Sequence, residues 1–174
     1  MPLIIKDEKR FEEVSINNHI GICVGVWDLG HQVSEYKGEK SVKRKIVIRW
    51  EVNEDIESEG PYKGKKKTIN GYYTHSLGSL SNLRKMLTSW LGGLTDQDVK
   101  NGFDVESLVG RSGMVNVVLS EKGTPKVGSV TKLPQGLQVF EPDTLKDFGE
   151  EPPEWILKQR VKNAEELTAS GLSS

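Results

Sequence analysis

Lys43-Arg44-Lys45-Ile46-Val47-Ile48-Arg49-Trp50-Glu51-Val52 is the stretch on which the fold turns. Ile46, Ile48, Trp50 and Val52 fall on one side of an extended chain, and Lys45, Val47, Arg49 and Glu51 on the other. A period of two is strand geometry, and its division into an apolar and a charged row predicts one packed face and one wet face. The wet face carries Lys45 and Arg49.

Towards the N-terminus, His19 to Leu29 repeats the alternation, with Ile20, Ile22, Val24 and Val26 in one row and Gly21, Cys23, Gly25 and Trp27 in the other. Glycines inside a strand mark a bend, a bulge or a close backbone approach. A polar stretch runs from Gly30 to Ser41. Towards the C-terminus, Asn53 to Lys67 reads as a charged loop and Thr68 to Ser76 as a third strand. Neighbouring strand residues point to opposite faces, so one of Tyr72 and Tyr73 belongs to a groove and the other to the core.

The period changes at Ser81. Leu80, Leu83, Leu87 and Leu91, with Met86 and Trp90, predict an amphipathic helix over 81–91, capped by a serine and stopped by Gly92-Gly93. A short helix is expected within Thr95 to Phe103 and an apolar turn within Val105 to Val109. Ser112 to Leu119 and Lys126 to Lys132 then form a hairpin through Glu121-Lys122-Gly123. The order strand, strand, strand, helix, strand, strand is that of the five-stranded Greek-key barrel that binds oligonucleotides and oligosaccharides. The expected fold is therefore mainly β, an OB-type barrel over residues 1–136, including an N-terminal extension, with a helix between strands 3 and 4. Residues 137–174 are expected to form an acidic linker, a helix from about Glu154 to Leu167 and a flexible tail from Ala169.

Charge is unevenly distributed beneath a formal net charge of −1. Between Lys37 and Lys85, twelve basic residues face six acidic ones; between Glu141 and Glu154, six acidic residues face Lys146 alone. A basic middle segment points to a polyanionic partner. Aromatics interleave with it: Tyr36 precedes Lys37, Lys40, Lys43, Arg44 and Lys45, while Tyr72 follows Lys65, Lys66 and Lys67. Single-strand binders combine such a cationic groove with aromatic faces on which bases stack. The residues expected to bind nucleic acid are Lys43, Lys45, Arg49, Lys65, Lys66 and Lys67 at phosphates, and Trp27, Tyr36 and Tyr72 at bases. Trp50 and Trp90 lie in the apolar rows of their elements and are assigned to the core.

Catalytic signatures are lacking. The sequence has no phosphate-binding glycine loop and no Gly-x-Ser-x-Gly elbow, and His19, His31 and His75 do not have metal-ligand spacing. The one cysteine, Cys23, sits in an apolar run and reads as a buried, inert thiol. The acids Glu54, Asp55, Glu57 and Glu59 lie together in one loop, read as solvated rather than cation-binding. A binding protein without cofactor or metal is expected, not an enzyme. Met1-Pro2-Leu3-Ile4-Ile5 followed by Lys6-Asp7-Glu8 is not a signal-peptide pattern, and no apolar run approaches a membrane span, which implies a cytoplasmic protein.

A family resemblance rests on Tyr73-Thr74-His75-Ser76-Leu77, Ser81-Asn82-Leu83-Arg84-Lys85-Met86-Leu87 and Trp90. It extends through Phe103-Asp104, Leu108-Val109-Gly110, Asn116-Val117-Val118, Val127-Gly128-Ser129-Val130 and Leu133-Pro134-Gln135-Gly136. Over most of residues 20–136 the chain resembles a family of small bacteriophage and prophage single-stranded-DNA-binding barrels. The resemblance implies an OB-type fold, sequence-tolerant binding of single-stranded DNA in replication or recombination, and partners among phage or host replication and recombination proteins. Where that group ends in an acidic tail, this chain follows its acids with a mixed-charge helix and a neutral end. Trp155-Ile156 in that helix is suited to dock on the barrel or on a second subunit of a homodimer. The rival reading is a protein-interaction or structural module built on the same barrel.

Overall fold

A computed structural model of the chain describes residues 12–78, 81–143 and 152–172. Leu80 and most of the acidic run, residues 144–151, lie outside them. Five antiparallel strands, β1 (Asn18–Tyr36), β2 (Glu39–Asp55), β3 (Lys66–Thr74), β4 (Ser112–Leu119) and β5 (Pro125–Thr131), form one sheet in the order β3-β2-β1-β4-β5. β3 and β5 are its edges and do not join in the ladder, so the sheet is not closed. Helix α1 (Asn82–Leu91) and the short α2 (Asp96–Asn101) lie between β3 and β4, and α3 (Glu154–Ser170) follows the sheet. The helix continues through Ala169 and Ser170, which were expected to be flexible.

The alternation in β2 holds: Ile46, Ile48, Trp50 and Val52 are buried in the main core. Leu83, Met86, Leu87 and Trp90 of α1 pack into the same core, with Ser81 accepting from the Arg84 N–H as its N-cap and Gly92 closing the C-terminus. Thr95 and Asp98 cap α2 reciprocally. Tyr73 is buried and Tyr72 is 59% exposed, the division that a strand demands of adjacent residues.

β1 departs from expectation in two ways. A bulge between Cys23 and Gly25 places two residues opposite one, and this reverses the side-chain parity. Gly21 and Cys23 pair with the inward residues Val52 and Trp50, but beyond the bulge Val26 pairs with inward Ile48 and Trp27 with outward Val47. The row Ile20-Ile22-Val24-Val26 therefore does not share one face. Further on, the strand expected over His19 to Leu29 does not end there, and the polar stretch from Gly30 continues it. β1 and β2 pair to Tyr36↔Glu39, and the turn at Lys37 (φ 51°) and Gly38 (φ 81°) has both central residues left-handed, the hairpin geometry in which glycine is favoured. On β1, β4 pairs only with Asn18–Ile22, and on β2, β3 reaches only as far as Lys45, so the distal hairpin projects as a two-stranded arm.

Cys23 is fully buried, and burial pushes its thiol up to about 12. Since thiolate is the reacting form, Cys23 is expected to resist a thiol reagent at neutral pH in the native protein and to react stoichiometrically after denaturation. Rapid native labelling would contradict this packing.

Candidate nucleic-acid interface

The register gathers one outward face. Lys45 lies opposite Thr74, Val47 opposite Tyr72, Arg49 opposite Asn70 and Glu51 opposite Thr68, while Trp27 on β1 flanks Val47 from the other side. Lys43, two residues before Lys45, continues the row. Trp27, Lys43, Lys45, Arg49, Lys66 and Tyr72 are thus brought to one face by strand parity alone.

The cations on this face differ in what surrounds them. Lys45 is half-buried and donates through Nζ to Thr74 Oγ1 at 2.7 Å. Burial lowers its pKa from the ordinary lysine value, and repulsion from Lys43 lowers it further. Arg49 donates through Nε to Asn70 Oδ1 at 2.8 Å, and burial lowers its pKa too. The ion pairs of the described residues engage Arg44, Lys63, Lys66, Lys67 and Lys158, and none includes Lys43, Lys45 or Arg49. Two lysines held near each other without a carboxylate between them form a local excess of positive charge that an anion would relieve.

The run Lys65 to Lys67 behaves otherwise. Lys67 is placed on the inward side of β3, 9% exposed, with its ammonium 3.1 Å from Glu12 and 3.6 Å from Glu54 and donating to the Glu13 carbonyl. Hydrogen bonds from Ser58, the Glu57 N–H and Lys67 hold the Glu12 carboxyl at about 2. Lys66 pairs with Asp55 at 2.6 Å and reaches over the Phe140 ring. Glu54 and Asp55, which stand in β2 rather than in a loop, therefore serve with Glu12 as counter-ions to Lys67 and Lys66, and the parity of β3 removes Lys67 from the face on which it was expected. Lys65 is exposed in the loop before β3, and Tyr36, 71% exposed, stands at the tip of the arm beside Lys37.

Part of the face is already occupied. Leu29, Val47 and Ile156 form a second, small core outside the main one, with Trp27 and Trp155 packed against it. The Trp27 and Trp155 rings meet edge-on at 5.7 Å, and the Arg49 guanidinium lies 4.5 Å from the Trp155 ring centre and 6.0 Å from that of Trp27. Arg160 Nε donates to the Asp28 carbonyl and the buried Asn163 Nδ2 to the Leu29 carbonyl, both at the second bulge of β1. Nearer the other end, the Asp143 N–H donates to Glu51 and the Lys66 N–H to Asp143. The helix carrying Trp155 and Ile156 thus docks on this chain's own sheet, covering Trp27 and leaving Lys43, Lys45 and Tyr72 outside it.

Gly25 makes the Trp27 position achievable. A Cβ there would lie 2.1 Å from the Trp27 ring, so the indole rests directly across the glycine. Gly25→Ala is expected to displace the ring, weaken the Trp27–Trp155 contact, and cost about 1–3 kcal/mol through overpacking. A red-shifted tryptophan emission with a lowered melting temperature would register it; an unchanged spectrum would contradict this stacking.

Lys85 on α1 and Lys126 on β5 are cations that the sequence pattern did not assign to the interface. Both are exposed and border a cleft of about 500 Å³ that begins at Tyr72. The sequence signal was their position on the polar side of an element whose other side is apolar. No protein-family model, curated protein or solved structure matches the chain. No helix among the described residues is long and apolar enough to cross a membrane.

Proposed function

We propose that the outward face of β2 and β3 binds single-stranded nucleic acid, with DNA as the substrate that the phage-family resemblance implies. The supporting observation is the convergence of Lys43, Lys45, Arg49 and Tyr72 on one face, with no acidic ion-pair partner for these cations among the described residues. The strand order supports an OB-type reading: a β1-β2-β3 meander, a helix, then a β4-β5 hairpin whose β4 pairs with β1, open between β3 and β5. In that fold the strand 2–3 face and the loops joining strands 1–2 and 4–5 take the oligonucleotide. Here these loops are the arm bearing Tyr36 and the turn bearing Lys122.

In this reading Lys43, Lys45 and Lys65 hold phosphates, Tyr72 and the arm's Tyr36 stack bases, and Arg49 presents a guanidinium backed by Trp155. Trp27 joins only when α3 is lifted. Polarisation titration of labelled oligothymidylate is expected to give affinity that falls with salt, each neutralised phosphate adding about −0.7 to the log–log slope. Duplex DNA of the same length is expected to bind more weakly, its bases being unable to stack on the tyrosines. Salt-independent affinity, or none, would refute the reading.

The second reading, a protein-interaction module, is favoured by one observation: the Trp27–Leu29–Val47 patch already accommodates a helix through Ile156. The same titration separates the two.

A further inference from the structure

Between the unpaired edges of β3 and β5 lies the cleft that starts at Tyr72, with α1 as its third wall. We propose that this cleft is a nucleotide subsite that receives the strand as it leaves the β2–β3 face, with Lys85 and Lys126 as its phosphate ligands. The inference rests on the function proposed for that face and extends it to residues outside the usual OB surface.

Three observations carry it. The first is charge: Lys85 and Lys126 are both exposed, the ion pairs of the described residues include neither, and none of the described residues lining the cleft is acidic. The second is hydrogen-bonding capacity. β3 pairs only with β2 and β5 only with β4, so both edges turn backbone donors and acceptors towards the gap, beside the side chains of Asn70, Asn82 and Ser129. Such groups suit the edge of a base, and a volume of about 500 Å³ lies within the range of small-ligand sites. The third is access. On the β1 side the outward face is closed by Trp155 and Ile156, and at its Glu51–Lys66 end by Asp143. A strand stacked on Tyr72 is therefore left two open directions, along the arm past Lys43 and over the β3 edge, and the cleft lies beyond that edge.

The test is polarisation titration of the full chain with oligothymidylates of about four to about sixteen nucleotides, the site-size range of one OB-type fold. Wild-type protein is compared with Lys85→Glu/Lys126→Glu and with Lys100→Glu, which reverses an exposed charge on α2 that does not line the cleft. Circular dichroism confirms that each variant is folded. The expected result is that the double variant loses about tenfold on long oligonucleotides and little on the shortest, with its salt slope reduced by about 1.4, while Lys100→Glu titrates as wild type. A double variant equal to wild type at every length would overturn the subsite and leave the β2–β3 reading standing. Equal losses in Lys100→Glu would also overturn it, by reducing the effect to net charge. Wild-type protein that binds no oligonucleotide would remove both.

Discussion

Lys43→Glu/Lys45→Glu is expected to abolish most single-strand binding while leaving the fold intact. Lys43 is exposed and Lys45 half-exposed, and no ion pair of the described residues includes either, so their replacement breaks no charge pair. Within the folded chain, the substitution removes the hydrogen bond from Lys45 to Thr74. The double reversal exchanges the repulsion of two ammonium groups for that of two carboxylates, so the mutual charge effect within the fold is little changed. Where two attractive contacts to phosphate existed, two repulsive ones appear, and affinity at low salt is expected to fall about 100-fold with the salt slope reduced by about 1.4. Lys67→Ala gives the opposite pattern. It strands Glu12 and Glu54 without their ammonium, costs about 1–3 kcal/mol of stability, and spares binding because the side chain faces inward. Equal binding losses in both variants would mean that the basic residues act only through total charge.

Ile156→Asp is expected to release α3 and strengthen binding. Ile156 is fully buried at the centre of the small outer cluster, and a carboxylate there would be unpaired, at a cost of several kcal/mol that the docking contact does not offset. The main core does not include Ile156, so the sheet survives. With the helix gone, Trp27 becomes available as a further stacking surface, worth about 1–3 kcal/mol, and affinity for single-stranded DNA is expected to rise about tenfold. Hydrogen exchange of the Glu154–Ser170 amides reports the release and polarisation reports the gain. Released amides with unimproved affinity would exclude Trp27 from the interface.

The sequence made the sheet's centre readable because packing there follows a simple period. Ile46-Ile48-Trp50-Val52 and Leu83-Met86-Leu87-Trp90 bury along a single row each, and the Tyr72/Tyr73 choice follows from geometry. The β1 row misled because one extra residue at the bulge reverses every side chain beyond it, although Gly25 had marked the place. The arm was hidden because a two-stranded ribbon wet on both faces has no apolar alternation to announce it. Lys66 and Lys67 looked like phosphate ligands because a run of basic residues does not reveal its counter-ions; Asp55 lies 11 residues before Lys66, and Glu12 far upstream of Lys67. The cover over Trp27 depended on Asn163 and Arg160 meeting backbone carbonyls more than 130 positions away, which no local pattern encodes.

The join between β1 and β4 has a consequence for how the chain acquires its shape. Asn18 and Asn116, hydrogen-bonded to each other, are 98 positions apart, whereas the β1–β2 hairpin closes through a two-residue turn. Loop closure makes the distant pairing the slow event, so the hairpin is formed early and the sheet is completed last. During synthesis the emerging meander must therefore keep the open flank of β1 unpaired until the second half of the chain arrives, and for that interval the same flank is exposed to β1 strands of neighbouring chains.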